Sequence, residues 1–198
     1  MAHMKPLPLD AVPEDIQERF LHYKNTRGFT PNSIQTMARR PNIVRAFMQL
    51  NQAVLYEGTV GEELKMLVSL IASQASGCRY CQAHMANLSK IYQSSAEKIA
   101  QLWEFETSDL FTDAERAALR LALHGAVSPN QATQQDFDEL YKFFSEDEAV
   151  EIVASIALFG FLNRWNDTMA TELEDLPSEV AKQTLGGSFA WDPGKHRT

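Results

Sequence analysis

Apolar side chains recur every three or four residues along most of this chain, a spacing that predicts amphipathic helices. From Val60 to Ser76 the apolar residues are frequent enough to cover one broad face of a helix. Earlier helices are predicted over Pro13 to Arg27, Thr30 to Arg40 and Ile43 to Gly58, each bounded by glycine or proline. No segment shows a convincing two-residue alternation, so we expect an all-α protein.

Two capping boxes mark helix starts in the second half of the chain. Thr112 is followed by Glu115, and Ser145 by Glu148, so hydroxyl and carboxylate can satisfy free backbone N–H groups reciprocally. The second box opens the longest predicted helix, which we expect to run to about Glu174. With three shorter amphipathic segments, the pattern predicts a bundle of about eight helices.

These elements divide the chain into three parts. We predict an N-terminal extension with one helix over residues 1–29, a helical domain over 30–176 and a C-terminal arm over 177–198. The arm contains Gly186 and Gly187 and ends in polar residues, so we expect little regular structure there. Its aromatic residues, Phe189 and Trp191, are predicted to pack on a partner.

Composition and charge limit the kinds of partner that we expect this chain to bind. The chain has 198 residues and a formal net charge of −8, and it lacks a run of Lys or Arg, which argues against nucleic acid as a main partner. The longest apolar stretch, Ile152 to Leu162, is too short to span a bilayer. No apolar secretory segment appears at the N-terminus, so we expect a cytoplasmic protein in a reducing environment.

The chain's two cysteines lie together. Cys78 and Cys81 are three residues apart at a predicted helix start, and His84 follows one turn later. This spacing allows a reversible disulfide, and the helix N-terminus lowers thiol pKa values, most directly that of Cys78. His84 can move a proton to or from the sulfur, and Tyr80 can supply a hydroxyl.

Redox chemistry is the reading we favour for this pair, ahead of two others. Two cysteines placed at random would fall three apart in roughly one case in a hundred, which disfavours inert thiols that are close by chance. A metal site is disfavoured because zinc prefers four protein ligands, and the other histidines (His3, His22, His124, His196) are scattered. We therefore expect neither a metal nor a cofactor.

The predicted long helix contains an unusually polar stretch, Asn163 to Asp167. If that helix packs beside the cysteines, some of these groups line the site. We favour the other reading, in which they form buried hydrogen bonds or an oligomer contact.

The run LVSLIASQASGCRYCQAH, which ends at His84, resembles the core motif of the carboxymuconolactone decarboxylase-like superfamily. It is most similar to the alkyl hydroperoxidase D-like and peroxidase-related branch. The resemblance implies an all-α fold that assembles as dimers, trimers or hexamers. It also implies reduction of hydroperoxides, with Cys81 attacking the peroxide, Cys78 closing the disulfide, and a thiol reductant resetting the pair.

The sequence departs from this family's proton relay at two positions. Met66 stands where the family has a glutamate, and Met85 stands where it has its usual histidine. Glu63 lies about one turn before Met66 and is our candidate replacement, with His84 as the candidate histidine. The resemblance thus predicts a thiol-dependent peroxidase; the alternative is a non-redox member of the fold, acting as a decarboxylase, a lactonase or a binding protein.

Overall fold

The structure, a computed structural model, describes residues 2–186 and 190–197. Within these ranges the chain forms ten α-helices, eight of them with seven or more residues, and no strand, which confirms the predicted all-α bundle. In chain order the helices are α1 (Glu14–Arg27), α2 (Asn32–Met37), α3 (Pro41–Tyr56), α4 (Glu62–Ala75), α5 (Arg79–Ile91), α6 (Ala96–Ala100), α7 (Asp113–Ala126), α8 (Gln134–Leu140), α9 (Glu146–Met169) and α10 (Asp175–Thr184).

Helix α4 lies at the centre of the bundle. It packs against α5, α7 and α9, and every residue from Lys65 to Ser73 is buried. A helix that is apolar on nearly all sides belongs in the interior, as this one does. Gly77 then takes a left-handed conformation (φ 77°), so the chain turns directly from the core helix into α5, which carries the cysteines.

Both predicted capping boxes are present. Thr112 with Glu115 opens α7, and Ser145 with Glu148 opens α9. Helix α9 ends at Met169, earlier than the predicted end near Glu174, because Ala170 adopts a left-handed φ of 47°. The next segment leads into α10, which ends at Thr184. The prediction of little regular structure after residue 177 is therefore wrong as far as Thr184.

The C-terminal arm folds back onto its own chain. Trp191 is buried, and its indole N–H donates to Oε1 of Gln82 at 3.2 Å. The Leu173 N–H donates to the carbonyl of His196 at 3.0 Å. The expectation that Trp191 packs on a partner is therefore wrong, while Phe189 lies outside the described residues.

Helix α9 divides its apolar residues between the core and the surface. Ile152, Leu158 and Phe159 are buried, whereas Val153 and Phe161 are exposed and line a wide surface groove. None of the described helices combines the length and the apolar character needed to cross a membrane.

A buried ion pair fixes the start of α4 against α9. Lys65 is 1% exposed, and its Nζ lies 2.7 Å from Oε2 of Glu151. The same carboxylate accepts the backbone N–H groups of Thr59 and Val60 at 2.8 and 3.1 Å. Burial disfavours the charge of Glu151, but these hydrogen bonds lower its pKa.

Replacing Glu151 with glutamine should destabilise the fold, because it leaves the Lys65 charge buried without a counter-charge. We expect Glu151→Gln to lower the free energy of unfolding by about 3 to 5 kcal/mol in urea titrations followed by circular dichroism. The control is Glu139→Gln, which breaks an exposed pair with Lys142 and should cost at most about 1 kcal/mol. Equal losses in the two variants would contradict this role for the buried pair.

Candidate active site

The two cysteines lie at the start of α5, as predicted. Cys78 is the N-cap residue, and Cys81 lies in the first turn. Both are free thiols, and both are buried. They differ in what surrounds them, because Cys81 lines a cavity whereas Cys78 faces groups from α9 and the C-terminal arm.

Cys78 lies beside an imidazole and a carboxylate. The Cys78 sulfur, a His196 ring nitrogen and an Asp167 carboxylate oxygen all lie within 4.8 Å of one another. His196 is 1% exposed and comes from the arm, while Asp167 comes from the last turn of α9. Elements distant in sequence thus converge on one sulfur.

The hydrogen bonds of His196 require two ring protons. Nδ1 lies 2.8 Å from the Thr171 carbonyl oxygen, and Nε2 lies 3.0 Å from Oδ1 of Asp167. A carbonyl and a carboxylate only accept hydrogen bonds, so each ring nitrogen must carry a proton. Burial opposes this charge, but hydrogen bonds to Cys78, Thr171 and Asp167 raise the pKa of His196. Geometry and the raised pKa thus both favour the protonated ring next to Cys78.

The pKa values of the two thiols are shifted in opposite directions. A hydrogen bond from Cys81, opposed by burial and reinforced by His196, lowers the pKa of Cys78 to about 6. Burial, together with the neighbouring Cys78, raises the pKa of Cys81 well above its usual value. At neutral pH the negative charge is therefore favoured on Cys78 and the proton on Cys81. The more acidic thiol is thus the one that the helix N-terminus favours.

The cavity at Cys81 is small and mostly apolar. Its free volume is about 50 Å³, and Phe47, Met85, Phe159 and Leu162 contribute to its wall. Asn166 of α9 also lines it and donates from Nδ2 to the Cys81 sulfur at 3.4 Å. The Oδ1 atom of Asn166 is buried without a partner among the described residues.

Tyr80 and His84 both contact Glu174, a residue that no sequence pattern identified as a candidate. The Tyr80 hydroxyl donates to Oε1 of Glu174 at 3.0 Å, and Nε2 of His84 lies 2.7 Å from Oε2. The two rings stack with centroids 4.3 Å apart. Burial disfavours the charge of Glu174, but the His84 charge and hydrogen bonds from His84 and Asn32 lower its pKa. His84 and Tyr80 line the same cavity as Cys81.

Glu63 does not join this group. Its carboxylate accepts from Ser94 Oγ at 3.0 Å and pairs with Lys98 Nζ at 3.2 Å, beside α6. Met66 is buried in the core of α4. The structure thus brings together Cys78, Cys81, Tyr80 and His84 of the predicted site residues, with Glu174 in place of Glu63 as the carboxylate nearest His84.

Sequence patterns identified only some of the other residues that lie around the two cysteines. In the polar stretch of α9, Asn166 and Asp167 form hydrogen bonds with the buried Cys81 and His196, as the favoured interpretation predicts, and through these bonds they also lie beside the two sulfurs. Glu174 and His196 carried no local signal, because both follow the left-handed turn at Ala170 and reach the site only through the fold.

Cys78, Asp167 and His196 also form the one group of potential metal ligands found within the described ranges. The group offers three ligand atoms, one fewer than the protein ligands of a structural zinc site, and Cys81 is not among them. When Cys78 is ionised, this group holds negative charges on Cys78 and Asp167 and one positive charge on a protonated His196. The charge of Asp167 raises the pKa of Cys78, but its hydrogen bond favours the protonated His196, which lowers that pKa. We therefore interpret the group as a charge network in which His196 favours ionisation of Cys78.

Comparison with known proteins places these features in context. The model of the carboxymuconolactone decarboxylase family matches residues 41–124. The uncharacterized protein YdfG of Bacillus subtilis (strain 168) is 25% identical over 115 residues, which are 56% of this chain and 74% of that protein.

Solved structures match nearly the whole chain. The debrominase Bmp8 has a TM-score of 0.84 and 35% identity, covering 91% of this chain and 96% of its own. A cysteine-to-alanine variant of Bmp8 in complex with 2,3,4-tribromopyrrole has a TM-score of 0.85 and 34% identity. A peroxidase-related protein with an alkylhydroperoxidase AhpD core, from Ralstonia eutropha JMP134, has a TM-score of 0.80 and 25% identity, covering 93% of this chain and 97% of its own.

The His196 charge should be measurable through the acidity of Cys78. In a Cys81→Ser background, thiolate absorbance at ~240 nm, a conventional thiolate wavelength, reports Cys78 alone. His196→Gln keeps an N–H donor but removes the positive charge, so we expect the pKa of Cys78 to rise by about one unit or more. Because a thiolate is lost as pH falls through its pKa, the variant should hold less thiolate at neutral pH.

The matched control is Lys195→Gln, which removes a neighbouring cation whose Nζ lies 3.4 Å from Asp167. This change should leave the titration of Cys78 nearly unaltered. A His196→Gln titration that overlays the control would show that the imidazolium does not ionise Cys78.

Proposed function

This chain belongs to the carboxymuconolactone decarboxylase family, and we propose that it is a dithiol oxidoreductase that reduces hydroperoxides with Cys81 and Cys78. The proposal is carried by the unequal placement of the two sulfurs. Cys81 lines the apolar cavity, while Cys78 lies outside its wall beside His196 and has a pKa lowered to about 6. One sulfur can therefore meet a substrate while the other stays ready to close a disulfide.

The first step oxidises Cys81. The Cys78 thiolate accepts the proton of the Cys81 thiol along their hydrogen bond, and the Cys81 sulfur attacks the outer oxygen of the hydroperoxide. The O–O bond breaks, leaving a sulfenic acid on Cys81 and an alkoxide. His84, held by Glu174 at 2.7 Å, protonates the alkoxide to an alcohol.

The second step closes the disulfide. The Cys78 sulfur attacks the Cys81 sulfur, and hydroxide leaves with the Cys78 proton as water. Overall, one hydroperoxide and two thiols give one alcohol, one water and one disulfide. An external dithiol, either a thiol reductant protein or a small thiol, then returns both cysteines to thiols by exchange. This cycle fits a reducing compartment such as the cytoplasm.

We further propose that the chain works as a homo-oligomer. The exposed Val153 and Phe161 line a groove of about 1220 Å³ on α9, and a second copy would cover this apolar surface. Light scattering should then give a mass above the 22.3 kDa of one chain. A mass of 22.3 kDa at micromolar concentration would contradict the oligomer.

Reductive debromination is the second candidate. Its specific support is the similarity to Bmp8 at 35% identity over nearly the whole chain, together with the aromatic residues of the cavity wall. Here the Cys78 thiolate would accept the Cys81 proton, the Cys81 sulfur would take the bromine from an aromatic carbon, and His84 would protonate that carbon. The Cys78 sulfur would then attack Cys81, losing its proton and expelling bromide, so that one aryl bromide and two thiols give one arene, one disulfide and HBr.

The peroxidase proposal predicts which adducts form. One equivalent of cumene hydroperoxide should convert the wild-type protein to the Cys78–Cys81 disulfide, seen by non-reducing peptide mass spectrometry. Cys81→Ser should consume peroxide no faster than buffer, because the sulfur at the cavity is gone. Cys78→Ser lacks the thiolate that accepts the Cys81 proton, so it should react more slowly and then hold a sulfenic acid on Cys81 that dimedone traps. Undiminished consumption by Cys81→Ser would overturn the assignment.

The debromination candidate is tested with the same variants and a different readout. The compound 2,3,4-tribromopyrrole is incubated with protein and dithiothreitol, and bromide is measured by ion chromatography. If this candidate is right, bromide appears in step with dithiol oxidation and only when Cys81 is present. Bromide release equal in wild type and Cys81→Ser would exclude it.

A further inference from the structure

The permanent charge on the wall of the cavity at Cys81 is positive. Among the described residues of its wall, Arg27 carries a permanent positive charge and no carboxylate is present, while His84 is paired with Glu174, which is not a wall residue. This is unusual for a chain whose formal net charge is −8. The cavity therefore presents positive charge and apolar surface together.

Arg27 is held by aromatic groups and not by an acid. It donates to the Tyr56 hydroxyl at 2.7 Å, and its guanidinium carbon lies 4.5 Å above the centre of the Tyr23 ring. In the ranges 2–186 and 190–197, no carboxylate forms an ion pair with it. Several other arginines do have such partners: Arg45 with Asp15, Arg116 with Asp113, Arg120 with Glu106, and Arg197 with Asp192.

The aromatic partners orient the guanidinium without neutralising it. A hydrogen bond to a phenol and a stacked ring fix the position of the planar group, while its remaining N–H donors stay available. A guanidinium placed in this way is well suited to bind a carboxylate or another planar anion through two parallel hydrogen bonds. It is also half-buried, so salt screens its interactions less than those of a fully exposed charge.

A role limited to the end of α1 does not account for this placement. Arg27 and Lys24 both lie in the last turn of that helix, where any cation interacts favourably with the free carbonyl groups. Lys24 meets that need from an exposed position. The end of α1 therefore does not require Arg27 to lie on the cavity wall that also contains Cys81.

We propose that Arg27 binds an anionic group of the substrate, so that the preferred substrate is an apolar molecule with a carboxylate or similar anion away from its reactive atom. This inference rests on the proposed dithiol function for the reaction, but it concerns recognition, which can be tested without turnover. The free volume of about 50 Å³ admits only the reactive group at Cys81, so the wall side chains must move apart for the apolar body to lie between Cys81 and the anion at Arg27.

Binding of reaction products tests the inference independently of catalysis. The two probes are cumyl alcohol with a para carboxylate and the methyl ester of that acid, measured by calorimetry against the full-length protein. The acid should bind about tenfold more tightly than the ester or better, since a charge-assisted pair is worth that much. In Arg27→Gln the two affinities should become nearly equal. The matched control is Arg39→Gln, which removes an exposed arginine that is not part of the cavity wall and should keep the preference.

Kinetics with the matching hydroperoxides then separates the two proposals. Para-carboxy cumene hydroperoxide should show a lower KM than its methyl ester in wild type and Arg39→Gln, and this ratio should fall to about one in Arg27→Gln. Equal binding of acid and ester by the wild type, or a preference that survives Arg27→Gln, overturns the anion site. Preferential binding of the acid without turnover of either peroxide supports the anion site and contradicts the peroxidase.

Discussion

The site depends on one hydrogen bond between two buried sulfurs. The pKa of Cys78 is lowered to about 6 and that of Cys81 is raised, so a negative charge at this pair is favoured on Cys78. A buried charge is costly unless it is paired, and the neighbouring group that can pair with it is His196, whose pKa is raised. Much of the surrounding structure, including the arm that carries His196 and the end of α9 that carries Asp167, positions that partner.

The two sulfurs consequently have different surroundings, although they lie in the same turn of one helix. Cys81 lines the cavity with His84 and Arg27, which is the proposed substrate site. Cys78 lies toward Asp167 and His196, where its charge is stabilised. The proposed chemistry follows from this separation, because attack and disulfide closure are both prepared before a substrate arrives. The same separation serves a peroxide oxygen or an aromatic bromine as the atom that Cys81 attacks.

Local patterns predicted the helices well. The periodicity of α4, the capping boxes of α7 and α9, and the glycine before Cys78 act within a few residues, so sequence reveals them. The cysteine pair was equally clear, since both of the chain's cysteines lie within one turn. Glu174 and His196 could not be predicted in this way. Their roles arise from the turn at Ala170, which redirects the chain past α5, and no spacing rule records where such a turn leads.

The most direct test of this account is the ionisation of each cysteine in the intact protein. Wild-type protein with 13C-labelled cysteine Cβ atoms would be followed by NMR as the pH is raised from acid to alkaline. The account predicts that the Cβ signal of Cys78 titrates with a pKa of about 6, while that of Cys81 moves only at a much higher pH. If the signal of Cys81 titrates first, the thiolate lies on the other sulfur and the central claim is contradicted.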